Sequence, residues 1–390
     1  MNRCLFMISV LVLTSSQVSL PQAGPAPGTN SPLAPTPVTV PVPGRNSPIA
    51  PTPVRFRTNL PDATTTAAPA VGLNPLTMSP DDLAVWGYPP QPGPNAAPQA
   101  YAIWAQAVTA AQTRIFPWLA RSNRAHGPTL GSQSIVLTNS TPVVASAVNS
   151  ALGSYNWSGY VNTNTNGVLF TSVSARYVVP RAQQAPGTCT GGWDYSSTWV
   201  GLDGAGDGAG ANDVVQAGTY ADAYCGPSND PEEPSGSQTT ATSYSAWYEW
   251  YPMNATNISG LTVKPGDNMF VEVWSTSPTT GGVFVVDFNT QQYVSINLTA
   301  PAGVQLAGGS AEWVLESPST SGNLATLTNY VSEYVSGAYA ADTNGTTYTP
   351  ADSTPVVMVD QNMQPISYPT LLGTDAMQIQ NTGSSVTSPQ

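Results

Sequence analysis

A single histidine, His126, and a single lysine, Lys264, stand among 390 residues; only 8% of the chain is charged, and there are three cysteines. These scarcities exclude a good deal. The one histidine lies ahead of the β-rich part of the chain, so Ser-His-Asp and Cys-His nucleophile systems have no general base within that part. Neither HExxH nor a Cys/His cluster offers a zinc site, and no metal or other cofactor is expected. Asp-Thr-Gly and Asp-Ser-Gly, the signature of the familiar aspartic peptidases, are absent. Long apolar runs are missing too. LFMISVLVLT at 5 to 14 is too short to span a bilayer, and its setting, after Arg3 and before small and polar residues, is that of a secretory signal. Residues 1–22 are therefore expected to be a signal peptide and the protein to be secreted and extracellular. Cys4 falls inside that signal. This leaves Cys189 and Cys225 as an even pair in an exported protein, the usual setting for a disulfide.

Bases are scarcest after residue 150, where only Arg176, Arg181 and Lys264 face 19 acids, a net charge of −16, whereas the preceding part is net basic. A surface this acidic repels nucleic acid and anionic membranes, so neither is an expected partner. Below about pH 4.5 its acids gain protons, and almost no His or Lys is present to build up the opposite charge. Crowded surface carboxylates thus predict a protein more stable in acid than near neutrality.

Proline is plentiful instead, with 38 residues crowded toward the first quarter of the chain. Residues 21 to 99 are dominated by Pro, Ala, Thr and Gly, and PGTNSPLAPTPV at 27 to 38 returns as PGRNSPIAPTPV at 43 to 54. Such a leader, placed at 23–96, is expected to be extended and to build no core. A helix is predicted after Pro98, carrying Trp104, Val108, Ala111 and Ile115 at spacings of three and four, with Arg114, Arg121 and Arg124 close behind. A basic helix ahead of an acidic domain suggests a prosegment, 97–150, that inhibits its own domain, its arginines pairing with groove carboxylates near neutrality; a plain spacer helix is the alternative.

From residue 154 the pattern changes to short β-branched and aromatic runs separated by Gly, Asn, Ser and Pro: STWVGL, DVVQAGTY, SAWYEWYP, NMFVEVWS, GVFVVDF, AEWVLE and others. Many closely spaced strands with no helices between them predict an all-β domain over 151–385, an antiparallel sandwich or barrel. Alternation assigns faces. Trp247, Glu249 and Tyr251 share one face of their strand, and Glu312, Val314 and Glu316 share one face of theirs, with Trp313 and Leu315 opposite. Carboxylates among so many aromatics suggest a groove. The glycine-rich DGAGDGAGAND at 203 to 213 puts Ala205 and Val214 where an EF-hand needs oxygen ligands, so it does not read as a calcium loop. Sequons occur at Asn139, Asn254, Asn257, Asn297 and Asn344.

What remains for a hydrolase is carboxylates with amide or hydroxyl partners. NWSGYV at 156 to 161, TWVGLDG at 198 to 204, VVQAGTY at 214 to 220, AWYEWYP at 246 to 252 and AEWVLE at 311 to 316 follow one another in the order and with the character of the G1 glutamic peptidases, or eqolisins, which this chain resembles over about 154 to 320. The resemblance implies a secreted, acid-active endopeptidase made with a prosegment, acting on polypeptides, and folded as a lectin-like sandwich of two antiparallel sheets; a monomer is expected. It implies Gln216 and Glu316 as the catalytic pair, with Trp199, Asp203, Glu249 and Tyr251 around them. Glu316 would serve as general base and then acid, Gln216 as donor to the oxyanion. Glu312, on the same strand face, is the alternative base. Tyr220 stands where some relatives have an acid, and the stretch from Tyr224 to Tyr244 is longer than in compact members. Two rival readings are a carbohydrate-binding module and a glycoside hydrolase using Glu249 and Glu316 as paired carboxylates.

Overall fold

The structure, a computed structural model, describes residues 55–70, 72–127, 151–163, 167–187, 189–205, 213–228 and 236–383, together with the backbone of 37–38 and 135–136. The signal-like run, the repeat-bearing part of the leader, most of 128–150, and residues 206–212 of the glycine-rich loop lie outside the described residues.

Two antiparallel sheets face each other. In the first, the strands run in the order Thr354–Val359, Trp157–Thr163, Ser310–Glu316, Ser197–Leu202, Val215–Pro227, Gln238–Trp250 and Thr256–Ser259. In the second the order is Met377–Asn381, Ser332–Asp342, Phe170–Val178, Asn268–Ser277, Thr280–Asp287 and Gln292–Thr299. Pro365–Leu371 pairs with one strand of each and joins the sheets along one edge. The expected sandwich is therefore present.

Alternation decides what fills it. The inward side chains of Val200, Val215, Trp250, Trp313 and Leu315 on the first sheet meet Val173, Val271, Val283, Val285 and Ile296 on the second in one buried cluster. Burial of such side chains contributes about 1.5–3 kcal/mol each and is the main force holding the layers together. The other face of the first sheet carries Trp157, Trp199, Tyr220, Trp247 and Val314, and that of the second carries Phe270, Trp274, Phe284 and Tyr293. Cys189 and Cys225 are disulfide-bonded, with Cα atoms 4.7 Å apart.

The chain ahead of the sandwich covers both outer faces, which corrects the expectation of a coreless leader through residue 96. Residues 55–57 and 63–66 form strands, Pro80–Trp86 forms a helix, and Leu83, Trp86 and Tyr88 are buried. Apolar residues there are sparse but find a partner surface in the second sheet, which composition alone cannot reveal. The helix after Pro98 spans Pro98–Ala110 and buries Ile103, Trp104, Ala107 and Val108. It stops before Ile115, because Thr113–Arg114 leaves the helix to pair with Gln292 and Tyr293.

Candidate active site

Strand register builds the site on the outer face of the first sheet. Gly201 is paired with both Gln216 and Glu312, and Gln216 with Glu249, so these side chains share one row across four strands. Ser197 is paired with both Glu316 and Tyr220, which form a second row, and Trp199, Gly218 and Trp247 form the row between. Because every row is two residues from the next, all point the same way. A Cβ on Gly201 would lie 2.9 Å from the Trp199 ring and 3.2 Å from Cβ of Gln216. Glycine there keeps the floor low enough for the indole to lie across it.

Glu316 is fully buried, and donors surround its carboxylate: Trp199 Nε1 to Oε2 at 2.8 Å and Asn156 Nδ2 to Oε1 at 2.9 Å. Gln216, also fully buried, donates through Nε2 to Glu249 Oε2 at 3.1 Å. Between the rows lies His126. Its Nδ1 is 2.7 Å from Glu316 Oε2, its Nε2 is 2.9 Å from the Tyr220 hydroxyl, and its ring stacks on Trp247 with centroids 3.8 Å apart. The main chain of the same residue is gripped as well, its N–H donating to Glu249 Oε2 at 2.9 Å and its carbonyl accepting from Gln216 Nε2 at 2.9 Å. With the protonated Glu316 donating its O–H to Nδ1, Nε2–H donates to the Tyr220 hydroxyl, and every polar atom of the imidazole is satisfied.

The histidine that sequence reasoning set aside, because it precedes the β-rich region, is thus at the centre of the site. Residues 118–127 bring it there. Trp118–Arg121 adds a strand to the edge Thr256–Ser259, and Arg124–Ala125 pairs with Ser319–Thr320. Arg124 reaches Asp222 Oδ2 at 2.6 Å, its guanidinium 4.1 Å above the Tyr220 ring and 4.8 Å above that of Tyr195. Of the three arginines expected to meet groove carboxylates, only Arg124 does so. Arg121 pairs with Asp62 at 2.6 Å within the leading part, and Arg114 is buried against the carbonyls of Thr66 and Trp86. A Cβ at Gly127 would meet the Tyr251 ring at 2.3 Å, so only glycine lets the chain leave past Tyr251.

The other expected residues divide. Trp199 and Glu249 bond the pair directly, and Tyr251 lines the exit. Asp203 serves the scaffold: with φ of 66° it turns the loop and accepts from the backbone N–H groups of Gly308 and Gly309 at 2.7 and 2.6 Å. Glu312 shares the row of Gln216 but, among the described residues, bonds none of the side chains gathered around Glu316 and His126. Asn156, Tyr220, Asp222 and Trp247 were not assigned to the site from sequence. Asn156 and Trp247 stand inside motifs already singled out, and the alternation that placed Glu249 on the groove face also placed Trp247 there.

Burial governs the titration of this face. Desolvation pushes the carboxyls of Glu249, Glu312 and Glu316 well above their ordinary 4.5, with the hydrogen bonds from Trp199 and Asn156 pulling Glu316 part of the way back. The same cause raises Asp222 to about 6 against the pull of Arg124, raises Asp213 to about 7, and lifts the buried Glu272 and Glu333. A carboxyl whose folded pKa lies above its unfolded value contributes stability below the unfolded value and loses it as pH rises through the folded one. His126 runs the other way, its pKa lowered by burial and by Arg124, but it is one group against many. Thermal melts of the full chain carrying Glu316→Gln should therefore fall by at least about 5 °C between pH 4 and pH 7.5. A melting temperature that rises over that interval would show that burial does not control these groups. The expected preference for acid thus has a different basis from surface crowding: desolvation is the leading cause at each of these carboxyls.

The model of the Peptidase A4 family matches residues 155–381, more than half of the chain. Aspergillopepsin-2 of Aspergillus niger is 27% identical over 223 residues, 54% of this chain and 71% of that protein. Scytalidopepsin B of Scytalidium lignicola is 31% identical over 165 residues, 41% of this chain and 51% of its own length. Among solved structures, scytalido-glutamic peptidase with a transition state analog inhibitor aligns over 58% of this chain and 98% of its own, at 24% identity and a TM-score of 0.46. Aspergilloglutamic peptidase from Aspergillus niger aligns over 48% and 99%, at 26% identity and a TM-score of 0.40. The family match decides against the sugar-binding and glycoside-cleaving alternatives, and the chain belongs to the Peptidase A4 family, the G1 glutamic peptidases or eqolisins, as a glutamic endopeptidase.

Proposed function

We propose that the protein is a secreted, acid-active endopeptidase, made as a latent precursor, in which Glu316 and Gln216 carry out the hydrolysis. The observation that carries this reading is a peptide in the groove: the chain's own residue 126 lies with its carbonyl oxygen on Gln216 Nε2 and its N–H on Glu249, while its imidazole fills the space in front of Glu316. A substrate held by the same main-chain contacts has its carbonyl polarised by Gln216, with a water taking the place of the imidazole. Glu316 then removes a proton from that water as its oxygen bonds to the carbonyl carbon, and Gln216 Nε2–H stabilises the resulting oxyanion. The protonated Glu316 next passes its proton to the amide nitrogen, the C–N bond breaks, and acid and amine products leave with Glu316 restored. Trp199 and Asn156 orient the carboxylate, and Glu249 orients the Gln216 amide; these are positioning residues. Residues 118–127 act as the inhibitor because they occupy these positions themselves. Secretion rests on the signal-like run at 5 to 14.

The test is hydrolysis of denatured casein by the acid-treated protein, at pH 3.5 and at pH 7. Turnover is expected at the lower pH only, and Gln216→Ala should lower kcat by roughly 10²–10³, the usual loss on deleting an oxyanion donor. A near-normal rate in that variant removes Gln216 from the mechanism.

A further inference from the structure

The chain ahead of the sandwich makes two contacts of different kinds. Residues 118–127 hold the groove through an ion pair, hydrogen bonds and short edge pairings. Residues 55–115 cover the outer face of the second sheet, where their contacts are those of a core. Phe270, Trp274, Phe284 and Tyr293 on that face are buried in one cluster with Trp86, Tyr88 and Trp104. Backbone joins the two as well. Ala63–Thr66 pairs with Asn297 and Leu298, and Thr113–Arg114 pairs with Gln292 and Tyr293, so both close the otherwise free edge of Gln292–Thr299. Thr65 Oγ1 donates to the carbonyl of Ser295 at 2.8 Å, and the Ser295 hydroxyl donates to that of Gly87. Arg114, 7% exposed, draws the ends of this lobe together by donating to the carbonyls of Thr66 at 2.8 Å and Trp86 at 3.0 Å, over the Tyr293 ring at 5.0 Å.

We propose that residues 55–115 are not discarded with the blocking segment but remain bound as a permanent third layer, so that the mature enzyme is a two-chain, non-covalent complex. Removing the lobe uncovers a face carrying Phe270, Trp274, Phe284 and Tyr293 side by side, and it frees an edge strand for pairing with other chains. Removing 118–127 uncovers a groove in which carboxyls and amides stand among the aromatics and can take up water. The link between the two is open to cleavage: Phe116 and Trp118 are 48% and 53% exposed. A cut only beyond residue 127 leaves the blocking segment tethered to a docked lobe at high effective concentration, so full activity needs a second cut near 115–118.

The experiment uses the full chain carrying Glu316→Gln, with recognition sequences for a sequence-specific, neutral-pH protease placed at 115–118 and at 129–134, cut by that added protease. Because no self-cleavage is involved, the result does not depend on the proposed catalytic pair. Native mass spectrometry and gel filtration at micromolar concentration, at pH 7 and pH 4, should show the fragment containing 55–115 bound one-to-one to the fragment containing 151–383. Stripping it with urea and returning to buffer should raise binding of an apolar dye at least tenfold or cause aggregation. Trp104→Ala should speed loss of the fragment at least tenfold. If the inserted sequences prevent folding, native mass spectrometry of the unaltered protein after acid maturation reads the same complex. A fragment that separates in buffer and leaves a monomeric, dye-negative domain overturns the proposal.

Discussion

Replacing Glu316 by Gln is expected to lower kcat on a peptide substrate by at least about 10³, at the upper part of what a general base contributes, while the melting temperature stays within a few degrees of the parent. The loss is that large because, in the proposed mechanism, the same carboxylate acts twice, taking the proton of water and then supplying it to the leaving nitrogen. An amide can do neither. The fold survives because the amide oxygen still accepts from Trp199 Nε1, and Asn156 can turn its own oxygen toward the new NH₂ group. Glu312→Gln is the control that decides between the two acids on this strand. Both are fully buried, but Glu312 lies in the row of Gln216 away from the imidazole, whereas Glu316 is held by Trp199 and Asn156 and faces the ring of His126. A kcat near that of the parent is expected for Glu312→Gln, and retention of more than about 1% of activity by Glu316→Gln would transfer the role of base to Glu312.

The second large effect is on latency. A synthetic peptide covering residues 118–127 should inhibit the matured enzyme most strongly around pH 4 to 4.5 and lose affinity by about tenfold per pH unit below about pH 4. The sign follows from proton counting. In the bound state His126 is neutral, its pKa held well below the ordinary 6.5 by burial and Arg124, while burial keeps Glu316 and Glu249 protonated well above their ordinary 4.5. Once water returns to the groove, the free peptide's histidine takes a proton below 6.5 and the two glutamates below about 4.5. Between those values release adds one proton to His126 but takes two from Glu316 and Glu249, so affinity rises as pH falls toward about 4.5. Below them the carboxyls are protonated in both states and only the histidine differs, so acid favours release. The Tyr220 hydroxyl, raised well above its ordinary 10 by burial, does not titrate in this range. Asp222, raised by burial to about 6 in the bound state, counts with the glutamates and sheds its proton on release. His126→Ala in the peptide should weaken inhibition at pH 5.5 by roughly 10² and abolish the loss of affinity below about pH 4, and Arg124→Ala should weaken it by about tenfold; both follow from losing buried hydrogen bonds. Inhibition that strengthens steadily down to pH 3 would rule out His126 as the titrating group.

Much of the site was legible because a strand's alternation is local. AWYEWYP and AEWVLE state by themselves that Trp247, Glu249 and Tyr251 share a face, and that Glu312 and Glu316 share one, whatever the strands pair with. The same rule did not show that Glu312 and Glu316 fall in different rows, because rows are set by register with Ser197–Leu202, a strand more than a hundred residues away. Asp203 was grouped with the pair by motif position, yet its carboxylate is spent on the backbone of Gly308 and Gly309, a contact invisible without the loop's conformation.

By itself the amino-acid sequence determined the class of fold, the two faces of each strand, the pairing of Cys189 with Cys225 and the absence of any base but carboxylates in the β-rich region. These depend on composition and on short-range periodicity, which survive any arrangement of the chain. Tertiary structure alone decided that His126 enters the groove, that Arg124 rather than Arg114 or Arg121 meets an acid there, and that a proline-rich leader contributes Trp86 and Tyr88 to a core. Each of these contacts joins residues far apart in the chain: 190 positions separate His126 from Glu316, and 98 separate Arg124 from Asp222. Contacts at such separation are made by sheet order and register, which follow from burying both outer faces of the sandwich at once and not from any local preference of the residues that meet.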